Sequence, residues 1–65
     1  MTNNNEKKFD VLDFIIRFEG GELTSEEEFI NGFQELINNG MAWTLQGMYG
    51  RIASDLIEQG LCHKA

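Results

Sequence analysis

Apolar residues recur at helical spacing in three blocks of this chain, and the blocks differ in how much of the helix they cover. Between Phe9 and Glu19, only Asp10, Asp13 and Arg17 form a polar stripe. Val11, Leu12, Phe14, Ile15, Ile16 and Phe18 cover the rest, an arc of roughly 220°, where a helix facing a single core needs little more than about 100°. The apolar positions do not alternate with period two, so a helix is predicted here despite the strand preference of Val, Ile and Phe. Such a helix needs cover on two sides.

The second block is simpler. Phe29, Ile30, Phe33, Leu36 and Ile37 make a single stripe on a helix predicted over 25–39. Gly20-Gly21 stops the first helix, and Asn38-Asn39-Gly40 stops the second, because glycine readily takes the left-handed conformation of helix ends. Thr24 with Glu27, or Ser25 with Glu28, fits a capping box. Glu26, Glu27 and Glu28 also lie where the helix dipole favours negative charge, so their clustering has a structural cause. The third block keeps one face through Leu45, Tyr49, Ile52, Ala53, Leu56 and Ile57, interrupted by Gly47 and Gly50. Each glycine costs about 1 kcal/mol relative to Ala inside a helix. A short helical turn over 42–46 followed by a helix over 48–59 is favoured over one longer helix. Gly60 ends it, leaving Leu61–Ala65 as a short tail.

Together these elements predict an all-α fold, a small three-helix bundle with helices at about 9–19, 25–39 and 48–59. Residues 1–8 read as a flexible polar N-terminus and 9–65 as one helical domain. With 65 residues the chain is short enough that its core is marginal. Its single cysteine rules out an internal disulfide, and Cys62-His63 lacks the further ligands of a closed zinc site. The wide arc on the first helix therefore points to a homodimer that completes the bundle. A monomer in which the third helix and Trp43 cover that arc is the alternative.

Charge narrows the range of partners. The net charge is −6, and residues 1–40 hold nine acids against three bases. Direct nucleic-acid binding, which needs clustered Lys and Arg, is not expected, and neither is a helix-turn-helix role for the third helix. No segment approaches the length of a membrane span and no signal-type apolar run follows the start, so no membrane association is expected. No nucleotide or metalloprotease motif is present, and the only histidine, His63, has no third group to orient it beside Cys62. The chain reads as a non-enzyme without a cofactor or metal.

The candidate binding site is the block from Trp43 to Arg51, which gathers the only Trp, the only Tyr and two glycines. Gly47 and Gly50, three residues apart, would let a backbone or flat ligand approach closely, or would serve a helix crossing. Arg51 sits near a helix start, where the dipole disfavours it. It either pairs with Asp55 or another acid, or recognises an anion with its planar fork. Trp43 and Tyr49 are core residues or interface anchors. Gln46 pairs with backbone or with a partner. A further reading assigns the whole block to folding.

The segment from Ile30 to Cys62 resembles a family of very short tailed-bacteriophage proteins of unknown function. The residues that carry the resemblance are Leu36-Ile37, Gly40, Ala42-Trp43, Leu45-Gln46-Gly47, Tyr49-Gly50-Arg51, Ala53, Leu56-Ile57, Gly60 and Cys62. Glu19-Gly20-Gly21-Glu22-Leu23 is similar to the family's opening, while Met48 stands where a small residue is usual. The resemblance implies a phage origin and a bacterial host cytoplasm as the place of action, and it brings no activity or catalytic residue. The resulting expectation is a non-catalytic accessory protein that binds a host or phage protein. The alternative is a binder of a small anionic or nucleotide-like ligand that uses Trp43, Gln46, Gly47, Tyr49, Gly50 and Arg51.

Overall fold

The computed structural model describes residues 9–65, and the N-terminal segment expected to be flexible lies outside them. Three helices follow in order: α1 (Val11–Glu19), α2 (Glu26–Asn38) and α3 (Gly47–Glu58), with a 3₁₀ turn at Met41–Trp43 before α3. The fold is a small all-α bundle, as the apolar spacing predicts. The turn before α3 is shorter than the 42–46 expected, and α3 begins one residue earlier than expected.

The ends of the helices are set by local chemistry. Asp10 caps α1 through its Oδ1, which accepts from the Asp13 N–H at 3.1 Å. Ser25 caps α2 through its Oγ, which accepts from the Glu28 N–H at 3.0 Å. The reciprocal half of a capping box is not made, because the Glu28 carboxylate turns to Arg17 at 2.8 Å instead. At the far end of α1, the Glu22 N–H reaches the Arg17 carbonyl and the Gly21 N–H reaches that of Phe18. This double closure requires φ of +74° at Gly21. The same pair of bonds ends α3 around Gly60.

The core is built on aromatic rings. Phe33 is fully buried, with the Phe14, Phe18, Phe29 and Tyr49 rings centred 5.1–6.0 Å from it. Leu36, Ile37, Ala42, Ala53, Leu56 and Cys62 extend the core toward α3. The backbone of α1 approaches only α2, and its link to α3 is made by side chains, Phe18 and Glu19 against Tyr49.

The tightest contact lies where α1 meets α2. A Cβ placed on Gly32 would fall 2.1 Å from Phe14 Cε1, so the phenyl ring occupies the space a side chain would need. A glycine in the interior of an amphipathic helix is the sequence signal for this crossing, but the sequence does not name the ring that fills it.

Candidate functional site

The Trp43–Arg51 block is split by the fold. Tyr49 points inward and is 2% exposed, with its ring against Phe18 and Phe33. Its hydroxyl donates to the Glu19 carboxylate at the end of α1. Burial first, and then this bond and charge, push the phenol up to about 12. Tyr49 is therefore a core residue that ties α1 to α3, and it does not belong to a surface binding set. Glu19 has no motif around it, so its role as Tyr49's partner follows only from the fold.

Trp43 takes the opposite position. It is 51% exposed, so it neither lies in the core nor covers the arc of α1. Its ring leans across α3 at Gly50, where an added Cβ would sit 3.6 Å from Trp43 Cε3 and 3.5 Å from the Ala42 carbonyl oxygen. Those are ordinary contact distances. At Gly47 an added Cβ meets nothing within 4 Å. The close backbone approach expected at Gly47 and Gly50 is thus absent within the described chain, and the tight crossing is at Gly32 instead.

The polar members of the block face outward. Gln46 and Arg51 are exposed, and Arg51 makes no ion pair with Asp55 or any other acid among the described residues. Gln46 occupies the N-cap of α3 without a side-chain capping bond, and the first turn of α3 carries no acid. Gly47, Arg51, Ser54 and Glu58 follow at helical spacing along the solvent side of α3. Of the expected site residues, Trp43, Gln46, Gly47 and Arg51 are exposed, with Met48 also exposed and Gly50 half-buried beneath the indole.

A second surface lies on α1. Leu12 is 68% exposed and Ile16 59%, and their i, i+4 spacing places them in one line along the helix. This is the remainder of the over-wide apolar arc, left uncovered among the described residues. Between α1 and α2 runs a groove of about 580 Å³. Phe14 over Gly32 contributes its apolar floor, and Asp10, Asp13, Glu28 and Glu35 surround it. Arg17 is its one basic residue, held by Glu28 at 2.8 Å and Asp13 at 3.9 Å.

The C-terminal tail docks on the bundle. The Cys62 thiol is buried and donates to the Ile30 carbonyl, and burial pushes its pKa up. The Gln34 carboxamide pairs with both backbone groups of His63: its Nε2 donates to the carbonyl and its Oε1 accepts the N–H, each at 2.9 Å. Ser25 and Cys62 thus have structural work as a helix cap and a core residue. Among the described residues no group of three or more His, Cys, Asp or Glu is arranged to hold a metal, and no helix is long and apolar enough to cross a membrane.

No curated protein and no solved structure matches the chain. A family model does match, over residues 7–65, which include all three helices, the docked tail and both exposed surfaces. On that coverage the chain belongs to the family described as Domain of unknown function (DUF7417).

Proposed function

We propose that this chain is a non-catalytic accessory protein of a tailed bacteriophage that acts in the bacterial cytoplasm by binding another protein. The observation that carries this reading is the set of large apolar side chains left in solvent on so small a body: Leu12 and Ile16 on α1, and Trp43 and Met48 at the start of α3. Single exposed apolar residues are common on protein surfaces, but neighbouring ones on a helix face mark contact surfaces. The structural work of Ser25 and Cys62 supports a role without covalent chemistry.

Affinity capture of the tagged chain from phage-infected cells tests the proposal. Wild type would be compared with Leu12→Ser/Ile16→Ser and with Trp43→Ala, each checked for helicity. A stoichiometric protein retained by wild type and lost with one folded variant is the expected result. Identical, empty captures for all three would defeat it.

A specific observation favours a second reading, binding of a small anion at the start of α3. Gly47 has no neighbour where its Cβ would be, the N-cap makes no side-chain bond, and Arg51 has no acidic partner among the described residues. Free N–H groups at a helix start together with a guanidinium suit a phosphate or carboxylate. Thermal melts with inorganic phosphate and with ATP would show stabilisation that Arg51→Ala abolishes. Melts unmoved at millimolar ligand would remove this reading.

A further inference from the structure

The groove between α1 and α2 has two unlike ends. Arg17 of α1 meets Glu28 of α2 at 2.8 Å, and one turn earlier on α1 the Phe14 ring fills the place of a side chain at Gly32. The contacts step backward along α1 as they step forward along α2, so the two helices run antiparallel. The same step continued brings Asp10 to the level of Glu35, and both line the groove. Asp10 is seven residues from Arg17, and Glu35 is seven from Glu28, about 10 Å along each helix.

The occupied end shows what the other end lacks. Arg17 lies between a carboxylate of α2 and one of α1, with Glu28 at 2.8 Å and Asp13 at 3.9 Å. At the Asp10 end each helix again offers a carboxylate, but neither Asp10 nor Glu35 has an ion pair among the described residues, and both are exposed. Asp10 uses Oδ1 to cap α1, which leaves Oδ2. The floor beside them is apolar: Gly32 and the rings of Phe9 and Phe14, whose centres are 5.6 Å apart. The groove of about 580 Å³ is in the size class of ligand sites.

This combination selects a cation on an apolar stem. A long basic side chain lays its methylenes on apolar surface and keeps its charged head near water. Two carboxylates on separate helices suit the planar, many-donor guanidinium better than a compact ammonium. Arg17 already makes that pairing at the other end of the same groove. We infer that the Asp10–Glu35 end of the groove is a docking site for an arginine side chain of another protein, with its stem over Phe9 and Phe14 and its guanidinium between the two carboxylates. The site is separate from Leu12 and Ile16, which lie on the opposite side of α1, and from Trp43. The inference rests on the protein-binding reading and names the side chain that a partner presents.

The test is a titration of the full, nitrogen-15-labelled chain with an acetylated and amidated pentapeptide carrying one central arginine among alanines. Amide resonances of Asp10, Asp13, Gly32 and Glu35 are expected to shift most, with affinity that falls as salt is raised. Replacing the arginine by citrulline, which keeps the shape and loses the charge, should weaken binding at least fivefold, and replacing it by lysine should weaken it less. Asp10→Asn/Glu35→Gln should also weaken it at least fivefold, with the helices kept, because asparagine caps as well as aspartate. Glu26→Gln/Glu27→Gln removes the same charge outside the groove and should change the affinity less than twofold. Equal binding of the citrulline peptide, or equal losses in the two double variants, would overturn the inference. Lys7 and Lys8 precede Phe9 in the sequence and are the rival cations. Binding that appears only in Lys7→Gln/Lys8→Gln would assign the groove to them and overturn the inference as well. A cellular partner that is captured equally by wild type and by Asp10→Asn/Glu35→Gln would leave the protein-binding reading standing and remove this one.

Discussion

Gly32 and Gly47 stand at opposite extremes of the same fold. At Gly32 the Phe14 ring occupies the place of a side chain, and α1 rests on α2 through that contact. At Gly47 the same position is open. The first glycine is explained by packing inside the chain, whereas the second has no internal neighbour that requires it. Tyr49 and Trp43 repeat the contrast, one buried and hydrogen-bonded to Glu19, the other leaning over Gly50 with half its surface in water. The half of the molecule organised around Phe33 holds the fold together. On the outer side of the 41–51 block, Trp43, Gln46, Gly47, Met48 and Arg51 are exposed.

The largest effect that would break this contrast is at Gly32. Gly32→Ala places a methyl inside the Phe14 ring, which is packed against Phe9, Phe18 and Phe33. Overpacking of this kind costs about 1–3 kcal/mol. In a chain of marginal stability the urea midpoint should fall sharply, and an unchanged midpoint would show that α1 can shift without cost.

Tyr49 comes next. Tyr49→Phe removes the bond to Glu19 and should cost about 1 kcal/mol, the net worth of a typical hydrogen bond. Wild type should also lose stability at alkaline pH. The unfolded phenol ionises near 10 and the folded one near 12, so the unfolded state sheds its proton first. This contribution is fully present below pH 10 and disappears between about pH 10 and 12. Urea melts across that range should slope downward for wild type, with a shallower slope for Tyr49→Phe.

A smaller effect belongs to the tail. Gln34→Ala removes both bonds to the His63 backbone, which are exposed and worth less than about 1 kcal/mol together. Its clearer readout should be faster labelling of the Cys62 thiol, which in wild type is buried and bonded to the Ile30 carbonyl and is expected to react slowly. Equal labelling rates would mean that Cys62 packing alone holds the tail. The smallest effect on stability is at Gly47, where Ala should leave the melt within about 0.5 kcal/mol of wild type. If that substitution nonetheless abolishes binding of a captured partner, the α3 surface is the contact site.

Much of this architecture can be read from local sequence. The apolar stripe of α2, the serine ahead of its first acidic turn and the glycines that end all three helices each act on neighbours a few residues away. The over-wide arc of α1 also carried its meaning, because Leu12 and Ile16 remain exposed. What the sequence conceals is which distant groups meet. Nothing near Gly32 identifies Phe14 as its neighbour, and nothing near Tyr49 identifies Glu19. Trp43 and Tyr49 look equivalent as amphipathic aromatics. They separate only because Tyr49 falls on the buried face of α3 while Trp43 precedes the helix in a 3₁₀ turn. The tail gave no sign of docking, since its anchors are a backbone carbonyl on α2 and an amide that could equally have faced water.

The exposed position of Trp43 has a practical consequence for spectroscopy. As the only indole in the chain, it is the only source of long-wavelength emission, and it lies outside the aromatic cluster that unfolding dismantles. Its fluorescence colour should therefore change little through a denaturant melt that far-ultraviolet dichroism follows in full. The same indole should shift to the blue when a molecule covers the start of α3, and remain unchanged when a partner covers Leu12 and Ile16, so one optical signal would report which of the two surfaces is occupied.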